Sequence, residues 1–173
     1  MKLTDRVFII TGGSEGIGFA CGKMLLEKEA QVCLLSRSEE KLAIARANYF
    51  TYCDNRLFTI AADVSNPNEV EAAIKKTDEK FGRIDGVIHA AGVSMRRSER
   101  LEDTTVEEYK RITQINADGT FYIVKFVLPI MKRRNSGYII NISSNAAYSP
   151  GNGYGVYSAS KSAVRSMTET LIR

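Results

Sequence analysis

Apolar runs and helical patterns alternate along the whole chain. Five short apolar runs predict buried strands over residues 6–11, 31–36, 57–61, 86–89 and 138–142. The first predicted helix ends near residue 28, and the second begins at 39. The next two cover 67–80 and 105–134, and the last begins at about 157. Strands that are apolar throughout and separated by helices indicate parallel pairing with both faces covered. The expected architecture is a doubly wound α/β sheet, which binds ligands at the carboxyl ends of its strands.

Local signals agree with these boundaries. Ser38 precedes two acidic residues and is expected to cap the second helix, whose dipole favours acids at that end. Pro67 falls in the first turn of the third helix, and Gly82 stands just past its end. The candidate functional residues follow the ends of the strands, where this architecture binds its ligands. They are 12–18, Ser36 and Arg37, Asp63, 90–92, Ser143 and Ser144.

Composition indicates one globular domain over residues 1–173. Hydrophobic residues make up 44% and charged residues 25% of the chain, ordinary values for a soluble protein. The sequence contains neither an apolar run of about 20 residues, as a membrane span requires, nor a secretory signal, so a cytoplasmic protein is expected. Cys21, Cys33 and Cys53 lack metal-ligand spacing, which predicts free buried thiols in a reducing compartment and no metal site.

The charge pattern gives little reason to expect a nucleic-acid partner. A net charge of +4 slightly favours an anionic ligand, but the Lys and Arg residues are interspersed with acids. The densest cluster, 132–134, falls where a predicted helix ends, and cations stabilise a helix C-terminus. A small-molecule ligand is therefore expected, and no nucleic acid.

A glycine-rich segment follows the first predicted strand. Its glycines, Gly12, Gly16 and Gly18, stand at intervals of four and two, with Ser14 and Ile17 between them. The spacing departs from G-x-G-x-x-G, but the physical requirements are the same: a tight turn, close backbone approach to a pyrophosphate, and free N–H groups at a helix N-terminus. The alternative is a glycine-rich turn without a ligand.

A second segment indicates acid–base chemistry. Residues 157–161 are Tyr-Ser-Ala-Ser-Lys, which places Tyr157 and Lys161 on one face of a helix. A free phenol, with a pKa of about 10, is a poor acid–base catalyst at neutral pH, and a nearby cation favours its ionised form. This spacing is common by chance. It gains weight from Ser144, which stands upstream at the end of the fifth predicted strand.

Together these segments resemble the short-chain dehydrogenase/reductase family in its non-extended form. The loop T-G-x-x-x-G-x-G is followed in chain order by Asn116, Ser144, Tyr157 and Lys161, each at a position that matches the family pattern. The resemblance implies an NAD(P)-binding Rossmann-type fold and hydride transfer between a nicotinamide cofactor and a ketone or secondary alcohol. It implies homodimers or homotetramers among full-length members.

The resemblance also implies a role for each of these side chains. Tyr157 would donate a proton to the carbonyl oxygen or remove one from the alcohol, and Ser144 would hydrogen-bond that oxygen. Lys161 would tune Tyr157 and bind the nicotinamide ribose, and Asn116 would hold a water in the proton path. Taken alone, each residue has a plainer interpretation: Ser144 caps a loop, Asn116 marks a helix kink and Tyr157 packs against its neighbours.

The end of the second strand favours NADP(H) over NAD(H). An NAD site carries an acidic residue there, whereas this chain has Ser36 followed by Arg37, and a guanidinium binds a 2′-phosphate in bidentate fashion. Glu15 is a counter-argument, since several NADP-using relatives carry a basic residue in that loop. The alternative for Arg37 is a solvated side chain at a helix start.

Two further strand ends are expected at the cofactor. Asp63 and Val64 resemble the family's acidic position near the adenine, although Asp63 could equally cap the following helix. Residues 89–92, His-Ala-Ala-Gly, occupy the place of the family's Asn-Asn-Ala-Gly. Ala90, Ala91 and Gly92 are expected at the cofactor because small residues permit close approach, and His89 is expected to be structural rather than catalytic.

The chain departs from the family in length, since it ends inside the last predicted helix. The family's sixth and seventh strands are missing from it, so the domain is expected to be incomplete, with an exposed sheet edge. Two hypotheses remain: an NADP(H)-dependent enzyme acting on a small carbonyl or alcohol, or a nucleotide-binding fragment or isoform without turnover. The loop 93–104, with Met95, Arg96 and Arg97, is a candidate contact for an anionic or acyl substrate.

Overall fold

The computed structural model describes residues 3–49 and 55–171, with only the backbone of Tyr49. One sheet of five parallel strands lies at its centre, in the order β3-β2-β1-β4-β5. The predicted doubly wound architecture is confirmed, and the predicted strand bounds agree to within one residue. The strands are β1 (Val7–Thr11), β2 (Gln31–Ser36), β3 (Leu57–Ala61), β4 (Gly86–His89) and β5 (Tyr138–Asn141).

Six α-helices connect and flank these strands. Two short 3-10 turns, Leu101–Asp103 and Asn145–Ala147, lie in the loops near the carboxyl end of the sheet. Within the described ranges, no helix is both long enough and apolar enough to cross a membrane. The helices are α1 (Gly16–Glu27), α2 (Glu39–Tyr49), α3 (Pro67–Phe81), α4 (Val106–Thr113), α5 (Gly119–Arg133) and α6 (Gly155–Glu169).

The capping predictions are confirmed. The Ser38 hydroxyl accepts a hydrogen bond from the Lys41 backbone N–H at 3.1 Å, at the start of α2. Helix α3 begins with Pro67 in its first turn and ends at Gly82, whose φ of 73° lies in the left-handed region that favours glycine.

The predicted single helix over 105–134 is divided in the structure. A π-helical turn, Gln114–Asp118, separates α4 from α5. The interruption places Asn116 in a widened turn. Such turns carry one residue more than an α-helical turn and commonly occur at functional sites.

Apolar side chains cover the sheet on both faces. One cluster packs β-strand residues such as Ile9 and Val87 against α3 and α5. The other packs Ile10 and Leu34 against α1 and α2. Strands β1 and β2 are buried on both faces, which explains why their sequences are apolar without alternation.

Strand β5 forms an edge of the sheet and is covered on one face only. Ile139 packs against the cluster beneath α3 and α5. Tyr138 and Ile140 point to the other face and are 59% and 53% exposed. The exposed edge predicted from the sequence is therefore present.

Candidate functional site

A cavity of about 120 Å³ opens at the carboxyl ends of the strands, and we call it the strand-end cavity. In a doubly wound sheet this is the place where ligands bind. Seven residues predicted to bind the cofactor line it, namely Gly12, Ser14, Ser36, Arg37, Val64, Ala91 and Gly92. Glu15, Leu35, Ala62, Val93 and Ile115 complete the lining.

The glycine-rich loop lies directly against the backbone that follows β4. Gly12 has a φ of 65°, and a Cβ atom there would stand 3.0 Å from the backbone nitrogen of Ala91. A Cβ atom on Gly18 would collide with the carbonyl of Gly12. Side chains at these two positions would therefore push the loop, β4 and α1 apart.

Helix α1 begins at Gly16, at the edge of this loop. The side chain of Glu15, the residue before it, does not cap the helix. The backbone N–H groups of the first turn, which includes Ile17, therefore have no capping acceptor from that side chain and are suited to an anion. Gly16 and Ile17 follow Glu15, which lines the cavity, but they are not themselves among the lining residues.

The end of β2 brings hydroxyl groups and cations together. The hydroxyls of Ser14 and Ser36 are 2.9 Å apart, and Arg37 is exposed at the cavity mouth. Lys41, from the first turn of α2, donates to the Glu15 carboxylate at 2.9 Å. Sequence reasoning missed Lys41. The available signal was its place one turn after the cap Ser38.

The side chains of Asp63 and Val64 lie in different places. Val64 lines the cavity, whereas Oδ1 of Asp63 accepts from the backbone N–H of Ser65 at 2.9 Å and from its hydroxyl at 2.7 Å. The carboxylate therefore stabilises the turn before α3. The capping interpretation of Asp63 is wrong, because Asn66 caps α3 by accepting from the Asn68 backbone N–H. The structure also does not bring the Asp63 side chain into the lining of the cavity.

His89 is buried at the end of β4 and contacts the end of β1. Its Nδ1 lies 2.7 Å from the Thr11 hydroxyl, which also accepts from the backbone N–H of Ala91 at 3.0 Å. Burial, together with the charge of Lys161, lowers the pKa of His89 to about 3. The imidazole is therefore neutral at physiological pH. Ala90 lies between His89 and Ala91, where the cavity wall begins.

Asn116 connects the π-helical turn to two other segments. Its side chain is 1% exposed. Its Oδ1 accepts from the backbone N–H of Val93 at 2.8 Å, and its Nδ2 donates to the Val93 carbonyl at 2.8 Å and to the Ser160 hydroxyl at 3.0 Å. Asn116 thereby fixes both the loop after β4 and helix α6.

Lys161 reaches from α6 to the strand-end cavity. Its side chain is 6% exposed, and Nζ donates to the Ile142 carbonyl at 2.8 Å. A Cβ atom on Gly92 would stand 3.2 Å from this Nζ, so the ammonium lies beside a residue of the cavity wall. Burial lowers the pKa of Lys161.

Tyr157 and Ser144 lie on segments that meet near Lys161. Tyr157 is half-buried on α6 and packs against a small apolar cluster that contains Met95. Ser144 accepts from the backbone N–H of Ala146 at 3.1 Å, so it caps the 3-10 turn after β5. Within the described residues, no hydrogen bond joins the Tyr157 phenol to Ser144 or to Lys161.

The candidate substrate loop needs one correction. Met95 is buried against Ile112 and Val156, so it is not free to contact a substrate. Arg96 and Arg97 are exposed and lie near the carboxylates of Glu108 and Glu99, respectively. These two guanidinium groups remain the candidate contacts of this loop.

The prediction of free buried thiols is confirmed for Cys33 and only in part for Cys21. Cys33 is a free thiol, and burial raises its pKa to about 12. Cys21 is also free but only half-buried, and Cys53 lies outside the described residues. Among the described residues there is no group of three or more His, Cys, Asp or Glu side chains that could hold a metal ion.

Comparison with known proteins gives consistent matches along the chain. A family model described as short chain dehydrogenase matches residues 6–173. An uncharacterized oxidoreductase of Staphylococcus aureus (strain MW2) is 36% identical over 169 residues, which cover 98% of this chain and 71% of that protein.

Solved structures of the same fold include proteins with either cofactor. The structure of NAD+-bound xylitol dehydrogenase matches with a TM-score of 0.92 and 27% identity, covering 99% of this chain and 65% of that one. The structure of ElxO with NADP bound matches with a TM-score of 0.90 and 29% identity, covering 99% of this chain and 67% of that one. The chain thus spans about two thirds of the length of these proteins.

Proposed function

The chain belongs to the short-chain dehydrogenase/reductase family, and from that premise we propose that it is an NADP(H)-dependent oxidoreductase of ketones or secondary alcohols. The observation that carries the proposal is the position of Lys161. Its ammonium lies beside Gly92 in the wall of the strand-end cavity, on the helix that also bears Tyr157. One helix therefore connects the candidate cofactor site with the candidate acid–base group.

The strand-end cavity has the features that a dinucleotide needs. Close approach of Gly12 to the Ala91 backbone leaves the wall free of side-chain bulk at that point. The start of α1 presents backbone N–H groups that suit a pyrophosphate. Gly12, Ser14, Gly16, Ile17 and Gly18 would hold the phosphates, and Val64 with 90–92 would contact the nucleosides.

In the proposed reaction the cofactor, when bound, supplies or accepts the hydride at the substrate carbon. In reduction the Tyr157 phenol donates its proton to the carbonyl oxygen, and in oxidation the phenolate removes the proton of the alcohol. The Ser144 hydroxyl donates a hydrogen bond to that oxygen. Lys161 stabilises the phenolate and binds the ribose, and Asn116 holds the helix that carries both residues.

The preference for NADP(H) is supported by the charges at the end of β2. Ser36 presents a hydroxyl instead of a carboxylate, and Arg37 lines the same cavity. Glu15, the counter-argument, is paired with Lys41, which partly neutralises its charge. A 2′-phosphate would therefore meet the guanidinium of Arg37 without an unpaired acid beside it.

The acid–base assignment is tested with Tyr157→Phe in the full chain. Loss of the phenol hydroxyl should lower kcat about 10²- to 10⁴-fold, the usual contribution of general acid–base catalysis, with almost unchanged NADPH binding. Turnover is followed by NADPH absorbance with a panel of small ketones. Turnover by the variant at the wild-type rate would contradict the assignment. Cofactor binding by the wild type without turnover of any carbonyl would favour the nucleotide-binding module instead.

The cofactor preference is tested by titrating the chain with NADPH and with NADH. Wild type should bind NADPH more tightly, and Arg37→Glu should weaken NADPH binding at least about tenfold more than NADH binding, because charge-assisted hydrogen bonds to the phosphate are lost. Lys28→Glu, at the other end of α1, makes the same change of net charge and should leave the ratio of the two affinities unchanged. An unaltered ratio in Arg37→Glu would contradict the NADP(H) assignment.

We also propose a cytoplasmic location and self-association. The free thiols of Cys21 and Cys33 are typical of a reducing compartment. Tyr109 and Phe121, on α4 and α5, are large exposed apolar side chains that favour a homodimer or homotetramer. Light scattering coupled to size-exclusion chromatography measures the oligomeric state, and a monomer at high protein concentration would contradict this part.

A further inference from the structure

Three polar residues stand in one row across the sheet. Thr11, His89 and Asn141 are the last residues of β1, β4 and β5, and the register pairs Thr11 with His89 and His89 with Asn141. Partners in parallel strands direct their side chains to the same face. The row therefore crosses the sheet on one side, immediately below the strand-end cavity.

Hydrogen bonds extend from both ends of this row. On one side the Ala91 N–H donates to the Thr11 hydroxyl, which contacts Nδ1 of His89 at 2.7 Å. On the other side Nδ2 of Asn141 donates to the Thr168 hydroxyl at 2.9 Å, and that hydroxyl donates to the Val164 carbonyl at 2.6 Å. Because Thr168 lies on α6, the second branch ends on the helix that carries Tyr157 and Lys161.

The direction of the Thr11–His89 hydrogen bond sets the tautomer of His89. The Thr11 oxygen accepts from Ala91 and has a second lone pair, so it can either accept from Nδ1–H or donate its own proton to Nδ1. When Thr11 donates, Nδ1 is unprotonated. The proton of the neutral ring is then on Nε2, which becomes a donor. Burial and the nearby Lys161 lower the pKa of this imidazole to about 3, so the neutral form persists at physiological pH.

Two unpaired atoms belong to residues that the register pairs, and they are complementary when Thr11 donates to Nδ1. His89 Nε2 is then a buried donor, and Asn141 Oδ1 is a buried acceptor, because the Asn141 amide nitrogen is the atom that donates to Thr168. Neither atom has a hydrogen-bond partner among the described residues. Buried polar atoms are almost always paired, and one water with two to four polar partners is the usual solution.

We propose that one buried water accepts from His89 Nε2–H and donates to Asn141 Oδ1, and that the completed row makes His89 a positioning residue for α6. We call Thr11, His89, Asn141, Thr168 and this water the polar row. It connects the Ala91 backbone in the cavity wall with the helix that holds the acid–base group. Its effect on turnover rests on the proposed function, whereas its existence does not.

The first test is spectroscopic and uses the wild-type chain. His89 is the sole histidine in the sequence, so ¹⁵N-labelled histidine gives one imidazole signal. The polar row requires a neutral ring protonated at Nε2, with an Hε2 proton that exchanges slowly and shows cross-relaxation with a long-lived water. A ring protonated at Nδ1, or an Hε2 proton without a water partner, would overturn the proposal.

The second test compares the effect of breaking the polar row with the effect of removing a buried hydroxyl elsewhere. Thr168→Val removes the hydroxyl that accepts from Asn141. Thr77→Val is its matched control, since Thr77 also donates to the carbonyl four residues earlier, at 2.8 Å, but lies on α3 outside the row. Thr168→Val should lower kcat about tenfold and change NADPH affinity less than about twofold, as expected when a catalytic helix loses its position but the cavity remains.

The outcomes distinguish the polar row from the proposed function. Asn141→Leu should shift the Nε2–H signal of His89 and remove its cross-relaxation with water, and an unchanged signal would overturn the row. Equal kinetic effects of Thr168→Val and Thr77→Val would refute the positioning role. If the wild type shows no turnover, the proposed function fails, and the histidine spectrum then decides whether the polar row exists.

Discussion

The two edges of the sheet are covered differently. At β3, Leu57 is buried beneath the helices of one face, and on the other face the Phe58 ring packs edge-to-face against Phe81 with 6.4 Å between centroids. At β5, the side chains of one face pack inward, but Tyr138 and Ile140 on the other face are exposed. Side chains are therefore better covered at the β3 edge, near the candidate nucleotide contacts, than at the β5 edge, near the candidate catalytic residues.

The difference extends to buried polar atoms. All the buried side-chain atoms that lack a partner within the described ranges lie on β4, β5 or α6: His89 Nε2, Asn141 Oδ1, Ser158 Oγ and Arg165 Nε. The β3 half contains apolar contacts and satisfied turns instead. The stability of the domain is therefore expected to come mainly from the β3 side, whereas the β5 side contains the groups suited to chemistry.

The largest expected effect is on the free energy of unfolding, and it tests the difference between β3 and β5 directly. Leu57→Ala should lower the free energy of unfolding by about 3 kcal/mol, because it leaves a cavity where a side chain is 2% exposed. Ile140→Ala makes a similar truncation on the exposed face of β5 and should cost less than about 1 kcal/mol. Urea denaturation followed by circular dichroism measures both. Equal losses would show that the two edges contribute alike.

A smaller effect concerns pH and the buried histidine. An unfolded histidine binds a proton near pH 6.5, whereas the pKa of His89 in the folded chain is about 3. Between these values the unfolded state holds the extra proton, so stability falls as pH decreases, by at most about 1.4 kcal/mol per pH unit. Above pH 6.5 this contribution is constant.

Comparing wild type with His89→Asn isolates this contribution from that of Asp85. Burial raises the pKa of the Asp85 carboxyl, but hydrogen bonds from Arg83, the Val7 backbone and Arg6 outweigh it and lower the pKa to about 2. Both proteins share that carboxylate. Urea titrations at about pH 4.5, 5.5 and 7.5, on both sides of the pKa of an unfolded histidine, should show a flatter pH dependence for His89→Asn. Parallel curves would exclude a neutral buried His89.

The smallest expected effect concerns the side chains that cover the β3 edge. The Lys80 ammonium lies 5.1 Å from the centre of the Phe58 ring and 5.5 Å from that of Phe81. Lys80→Gln should cost about 0.5–1 kcal/mol through loss of these cation–π contacts. Lys76→Gln removes the same charge from the exposed side of α3 and serves as the control. Indistinguishable unfolding energies for the two variants would show that Lys80 does not stabilise β3.

Local patterns in the sequence were sufficient for the framework. Apolar runs predicted all five strands, and the caps at Ser38 and Gly82 predicted helix ends, because these signals depend on neighbours a few residues away. The glycine spacing likewise predicted the loop that packs against Ala91. Family membership, predicted from the order of the motifs, is confirmed by the matching family model.

Features that depend on distant contacts could not be predicted. The π-helical turn exists where Asn116 bonds to Val93 and Ser160, and no local pattern shows these pairings. The polar row requires the register between β4 and β5, which the sequence does not specify. Likewise, the burial of Met95 depends on where α4 and α6 meet.

The π-helical turn between α4 and α5 has a consequence for how this segment tolerates insertions and deletions. Each residue of an α-helix advances the side-chain direction by about 100°. Removal of one residue from Gln114–Asp118 would restore ordinary helical winding, and α5 would keep nearly the same facing, because the π-helical turn holds the additional residue. Ile123 and Val127 would stay against the sheet, but the widened turn from which Asn116 bonds to Val93 and Ser160 would be lost. Removal of one residue elsewhere in α4 or α5 lacks this compensation and would rotate the side chains that follow by about 100°.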